Sequence, residues 1–209
     1  WAKRVCEHMR RMAPDYAIAT ESVRNTGKRE GQRRTKWTGV TMMVHKSMQP
    51  DTMTIPLVQF GIGRRLAKAC RGRVQVIRVK PEGREGYLVN VYQYAGQVRD
   101  GQERVLHVLA RIIRELKERN PAFIIAGGDF NAAESEERKG YRGNTEAQDN
   151  RLKAWCQTMD WNDTATRPRW TWTNGVQFAN LDHIWTWTPE EYRGRAARTI
   201  LAVEESLMA

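Results

Sequence analysis

The sequence predicts an α/β fold with more than one sheet layer. Apolar runs of strand length recur along the chain, with amphipathic segments of helix length set between them. Tryptophan alternates with threonine in two late runs, RWTWTNG and LDHIWTW, a pattern suited to half-buried strands. No internal repeat and no low-complexity segment interrupts this order.

Residues 2–12 carry Val5, Met9 and Met12 at helical spacing, and Pro14 ends that helix. DYAIATES (15–22) reads as a strand ending in Thr20, Glu21 and Ser22. GVTMMVHKS (39–47) is a second strand. Residues 49–60 are expected to hold another, irregular because of Pro50 and Pro56. RVQVIRV (73–79) and GYLVNVYQY (86–94) are predicted to form a hairpin across KPEGREG. Val105, Leu106, Leu109, Ile112, Ile113 and Leu116 make one apolar stripe on a helix over 103–119. Asp100 and Glu103 are expected to cap it as a capping box. A strand over 122–126 follows, then GGDFN. A second amphipathic helix is predicted over 148–159, strands over 169–175 and 180–187, and a last strand over 199–205.

At 209 residues the chain fits a single domain over 1–209, with 40 % apolar residues to build its core. Thirty-five basic residues against 24 acidic give a net charge of +11. That balance favours an anionic partner, nucleic acid before a membrane surface. Cys6, Cys70 and Cys156 have no CxxC spacing, which argues against a disulfide framework or a cysteine zinc site and for a reducing compartment. No apolar run reaches the length of a membrane span.

Four groups sit at or inside apolar strand patterns. Glu21 closes the first strand. Tyr92 closes LVNVY. Asp129 and Asn131 follow an apolar run and two glycines. Asp182 lies inside NLDHIW. Strand ends are where α/β proteins place their sites. Asp and Asn there hold Mg²⁺, a water nucleophile or a phosphoryl oxygen, or else make a helix cap or an Asx turn. A carboxylate inside a buried strand needs a metal, a base or a polar network.

Taken in order, these elements resemble the endonuclease/exonuclease/phosphatase superfamily, and within it the apurinic-type endonuclease domain of non-LTR retrotransposons. APDYAIATES resembles the family's element that carries its metal-binding glutamate, which falls on Glu21. TGVTMMVHKS resembles its next strand. VNVYQYAG resembles the strand that carries its active-site tyrosine, which falls on Tyr92. GDFN stands letter for letter at 128–131, which places the catalytic Asp and Asn on Asp129 and Asn131. MDWND and RWTWTNG resemble the following turn and strand. LDHI places a further catalytic aspartate on Asp182.

The resemblance implies a four-layer sandwich of two packed mixed β-sheets flanked by helices. It also implies metal-assisted phosphodiester hydrolysis. Glu21 would hold Mg²⁺ or Mn²⁺, Asp129 would act on the attacking water, and Asn131 would hold that water or a phosphate oxygen. Tyr92 would donate to charge developing on phosphorus, and Asp182 would position a group in the same pocket. DNA is the implied partner, with no membrane and no small-molecule cofactor. Arg24, Lys28, Arg29, Arg33, Arg34 and Lys36, just after Glu21, are the expected phosphate contacts, with Asn174. A second basic cluster spans Arg64, Arg65, Lys68, Arg71 and Arg73. Only five residues separate TWTNG from LDHI, so target choice by a hairpin there is expected to be weak.

The family's opening strand and its closing Asp-His pair are expected to lie outside Trp1 and Ala209. His183 is no substitute for that pair, because it adjoins Asp182 and points to the opposite face. The functional expectation is a DNA-nicking endonuclease beside a reverse transcriptase, intracellular and nuclear where it meets chromosomal DNA. The alternatives are a catalytically degenerate nucleic-acid-binding subunit of a larger assembly and a superfamily phosphatase.

Overall fold

The computed structural model describes residues 2–25, 36–51, 53–95, 99–133, 138–139, 146–161, 172–173, 178–179 and 181–190. Helix α1 (Ala2–Met12) leads into β1 (Tyr16–Asn25), which pairs antiparallel with β2 (Lys36–His45) over its whole length. Helix α2 spans Arg64–Cys70. Strands β3 (Val74–Val79) and β4 (Gly86–Tyr92) form the expected antiparallel hairpin. Helix α3 (Arg99–Glu118) crosses to β5 (Phe123–Asp129), which lies parallel to β4. Then follow β6 (Arg138–Lys139), α4 (Glu146–Thr158), β7 (Trp172–Thr173), β8 (Phe178–Ala179) and β9 (Asp182–Trp187). Strand β9 closes a mixed sheet of order β3-β4-β5-β9.

The layers follow from which faces are apolar. On one face of the mixed sheet, Val74, Val76, Val89, Ile124 and Trp185 meet the apolar stripe of α3 and Leu152 and Trp155 of α4. On the other face, Ile77 and Val79 meet Ala19 and Val44 of the β1-β2 pair. Thr20, beside Ala19, turns outward, where its hydroxyl meets the Cys6 Sγ of α1 at 3.0 Å. The order is therefore α1, the β1-β2 pair, the mixed sheet, then α3 with α4. This is the four-layer sandwich the sequence led us to expect. The described strands of the first sheet are purely antiparallel; the mixed character belongs to the second.

Three local expectations are corrected. The described residues of 49–60 form no regular strand. They run along β3, with Asp51 and Ile55 N–H groups donating to Arg78 and Val76 carbonyls, and Pro56 turns the chain into a short 3₁₀ helix over Leu57–Phe60. Asp100 and Glu103 are no capping box: both lie inside the first turns of α3, Glu103 taking a 2.8 Å bond from Arg99 Nε. Strand β5 does not stop at Ala126. It continues through both glycines to Asp129. The short link before LDHI carries β8, which pairs with β6 and β7 in a small third sheet. The expected strand over 199–205 lies outside the described residues.

Candidate active site

The register of the mixed sheet brings three of the expected residues into one row. Tyr92 pairs with Asp129 across the parallel β4-β5 ladder, and Asp129 pairs with Asp182 across the antiparallel β5-β9 ladder. Residues directly opposite on neighbouring strands share a face, so the three side chains leave the same face at one end of the sheet. Gly128 makes this possible. Its φ of +137° lies outside the range of ordinary side chains, and a Cβ there would run into the Val91 carbonyl.

Asn131 joins the row by a turn. Its backbone, at φ +50°, folds so that its N–H donates to Asp129 Oδ1 at 2.8 Å. Its side-chain Nδ2 donates to the Gln93 carbonyl at 3.1 Å, while the Gln93 N–H donates to the Asp129 carbonyl at 2.8 Å. The Asx turn and the site are thus one structure: the turn aims Asn131 and occupies one Asp129 oxygen. Burial raises the Asp129 pKa above its ordinary value, against the Asn131 N–H, which lowers it; the Asp182 charge adds to the rise.

Glu21 reaches the same end of the molecule through the turn that precedes β3. Its side chain is 18 % exposed, with Arg71 Nε 3.9 Å from Oε1. Oε2 is buried and has no hydrogen-bond partner among the described residues. Burial raises its pKa, opposed by Arg71 and the Gly72 N–H. Two residues after Arg71, Arg73 lies beside Tyr92.

The opposite face of this sheet end is aromatic. His183 is 8 % exposed, and its Nε2 donates to the Ala132 carbonyl at 2.7 Å. Its ring stacks on Trp185 at 5.1 Å, and Phe130 meets the same indole edge-on at 4.6 Å. Trp155 and Trp161 extend the stack. His183 is therefore a structural residue behind Asp129, on the face expected of it.

The basic residues divide. Arg24 and Lys36 stand on the paired ends of β1 and β2, just beyond Glu21. Lys28, Arg29, Arg33, Arg34 and Asn174 lie outside the described residues. Arg64, Arg65 and Lys68 are exposed on α2. Sequence reasoning overlooked Gln93 and Gln102, each almost wholly buried, which bond to the Gln102 and Tyr94 carbonyls behind Asn131. A glutamine directly after a strand-closing tyrosine was the available signal. Among the described residues no group of three His, Cys, Asp or Glu side chains is arranged to hold an ion unaided. No helix among them is long and apolar enough to cross a membrane.

Comparison with known proteins agrees with this architecture. No curated protein matches the chain. The endonuclease domain of TRAS1, a telomere-specific non-LTR retrotransposon, is similar at 17 % identity, covering 91 % of this chain and 79 % of that one, with a TM-score of 0.50. The catalytic domain of Xenopus laevis APE2 is similar at 12 % identity over 82 % and 66 %, with a TM-score of 0.55. The 3′ phosphatase NExo from Neisseria, bound to a product DNA hairpin, is similar at 14 % identity over 88 % and 80 %, with a TM-score of 0.51. At such identities the likeness is one of fold. The model of the endonuclease/exonuclease/phosphatase family matches residues 7–202, nearly the whole chain, and the chain belongs to that family.

Proposed function

We propose that this chain is a metal-dependent phosphodiesterase that nicks DNA. The observation that carries the reading is the row Tyr92–Asp129–Asp182 with Asn131 turned back onto Asp129. Folding alone gives no reason for this arrangement, since it holds two carboxylates side by side at a sheet end.

The residues fit a hard divalent cation such as Mg²⁺ or Mn²⁺. Mg²⁺ keeps several waters and takes only one or two carboxylates, and the orphaned Glu21 Oε2 is an oxygen donor of the right kind. Glu21 is the residue that would hold it. Such an ion, when bound, neutralises charge on the phosphate. Asp129, kept half-buried with a raised pKa, accepts a proton from the attacking water. Asn131 orients that water or a phosphate oxygen through the amide that Gln93 fixes. Tyr92, 37 % exposed at the strand end, offers its hydroxyl to the oxygen that gains charge. Asp182 sustains the electrostatics of Asp129 from the neighbouring strand.

DNA as substrate is supported by the net charge of +11 and by basic residues on the β1-β2 hairpin and α2. A retrotransposon setting beside a reverse transcriptase is supported by the ordered sequence elements and by the TRAS1 likeness. Supercoiled plasmid incubated with Mg²⁺ tests the reading: the native protein converts it to the open circle, whereas Asp129→Ala and an EDTA control do not. Nicking that survives Asp129→Ala refutes it.

A further inference from the structure

The row does not end at Tyr92. Arg73, the residue before β3, stands opposite Tyr92, whose N–H donates to the Arg73 carbonyl at 2.8 Å. Arg73 Cζ lies 4.7 Å from the Tyr92 ring centroid and 4.1 Å from that of Tyr94. Its Nη1 makes long bonds, 3.4 Å each, to the carbonyls of Tyr92 and Gln93. The Gln93 carbonyl is also the one that Asn131 Nδ2 uses.

We propose that Arg73 is a positioning residue for the reaction, holding Tyr92 and Asn131 in register through the Tyr92 ring and the shared Gln93 carbonyl. The inference rests on the phosphodiesterase reading above and adds a member to that site. Tyr92 is the last residue of β4 and its side chain is exposed, so pairing of the backbone places the residue while the Arg73 guanidinium restrains its ring. A planar guanidinium can cover two rings and donate to two carbonyls at once. A lysine ammonium, a compact point charge, cannot do all of this. Arg73 thus restrains the two arms that converge on Asp129, one through a ring and one through a shared acceptor. Gln93 is also tied from behind by its Nε2 bond to the Gln102 carbonyl, so removal of the guanidinium loosens the shared acceptor without unfolding the strand end, and the effect of Arg73 is separable from unfolding.

The test is Arg73→Lys, with Tyr94→Leu as the variant that keeps the guanidinium and removes one ring beneath it. Plasmid nicking is measured as kcat and KM, alongside Tm, and 3-fluorotyrosine at position 92 is read by ¹⁹F resonance. The expected result for Arg73→Lys is a kcat about tenfold lower with KM within about twofold, since small misplacements act on the chemical step. The ¹⁹F line of position 92 shifts or broadens, Tm stays near native, and Tyr94→Leu moves both readouts the same way by less. A native kcat and an unmoved ¹⁹F line overturn the proposal. A raised KM with native kcat also overturns it, since Arg73 would then be a phosphate contact. If Asp129→Ala nicks like the native protein, the phosphodiesterase reading fails instead, and the ¹⁹F line still decides whether Arg73 holds Tyr92.

Discussion

Asp129 and Asp182 stand directly opposite one another on β5 and β9, and the Asp182 charge helps keep the Asp129 carboxyl above its ordinary pKa. A base must be ionised to work, so nicking falls as pH drops through the Asp129 pKa. Asp182→Asn removes the like charge and lowers that pKa. The acid limb of the pH–rate profile therefore moves to lower pH, whatever happens to the plateau. A limb that stays in place or moves upward refutes the coupling.

The same burial makes ionised Asp129 unfavourable to the fold. Its folded pKa is raised above the unfolded one, so the protein is relatively stabilised below the unfolded value and loses that stability as pH rises through the folded value. Asp129→Asn keeps an acceptor for the Asn131 N–H and removes the charge. At pH 7 its Tm is expected about 2 °C above native, the size of a sub-kcal/mol effect in a chain of this length. The gain disappears below pH ~4, where the unfolded carboxyl also becomes neutral. Nicking falls by about two orders of magnitude or more, as loss of a general base implies.

Glu21 and Arg71 give opposite expectations for metal affinity. Glu21→Gln removes the carboxylate whose Oε2 has no partner among the described residues. Mn²⁺ binding, followed by the electron paramagnetic resonance of the free ion, weakens about tenfold or more. Arg71→Gln removes a positive charge 3.9 Å from the same carboxylate and tightens Mn²⁺ binding. Equal affinities in both variants would remove Glu21 from the metal site.

Gly128→Ala tests whether the row depends on the strand's unusual backbone. At φ +137° a methyl would meet the Val91 carbonyl of the adjoining strand. The expected loss is about 3 kcal/mol or more, beyond what a surface change produces. Urea denaturation measures it. A near-native midpoint would mean that β4 and β5 can separate without loss.

Lys28→Ala with Arg29→Ala addresses the basic segment that follows Glu21. A side chain that neutralises one phosphate contributes about 0.9 to the slope of log K against log salt. If both residues touch the DNA backbone, the double variant has a slope shallower by about 2, and its binding is weaker alike for every sequence. An unchanged slope assigns the segment to solvent.

Much of the fold was legible because burial writes period into sequence. The stripe from Val105 to Leu116 and the apolar run VQVIRV both became the elements they predicted. The failures have local causes. Gly127 and Gly128 look like a loop, yet their missing side chains are what let β5 run between two strands to Asp129. Pro50 and Pro56 hide a segment that still donates hydrogen bonds to β3. Helix α2 went unseen because its residues between Arg64 and Cys70 are mostly exposed and carry little periodicity. In the site, the row was visible only as separate strand ends. Its alignment depends on register, which no single segment contains, and the place of Arg73 in it depends on the β3-β4 hairpin.

The aromatic stack behind Asp129 has an optical consequence. Trp185 lies 5.5 Å from Trp155 and 6.2 Å from Trp161, ring to ring, with His183 and Phe130 also against its indole. Transition dipoles at that spacing exchange excitation, so their near-ultraviolet circular dichroism is collective. His183 adjoins Asp182, and Phe130 adjoins Asp129, so a displacement of either carboxylate travels one residue to reach the coupled chromophores. The protein carries a label-free gauge of the sheet face that holds the candidate site.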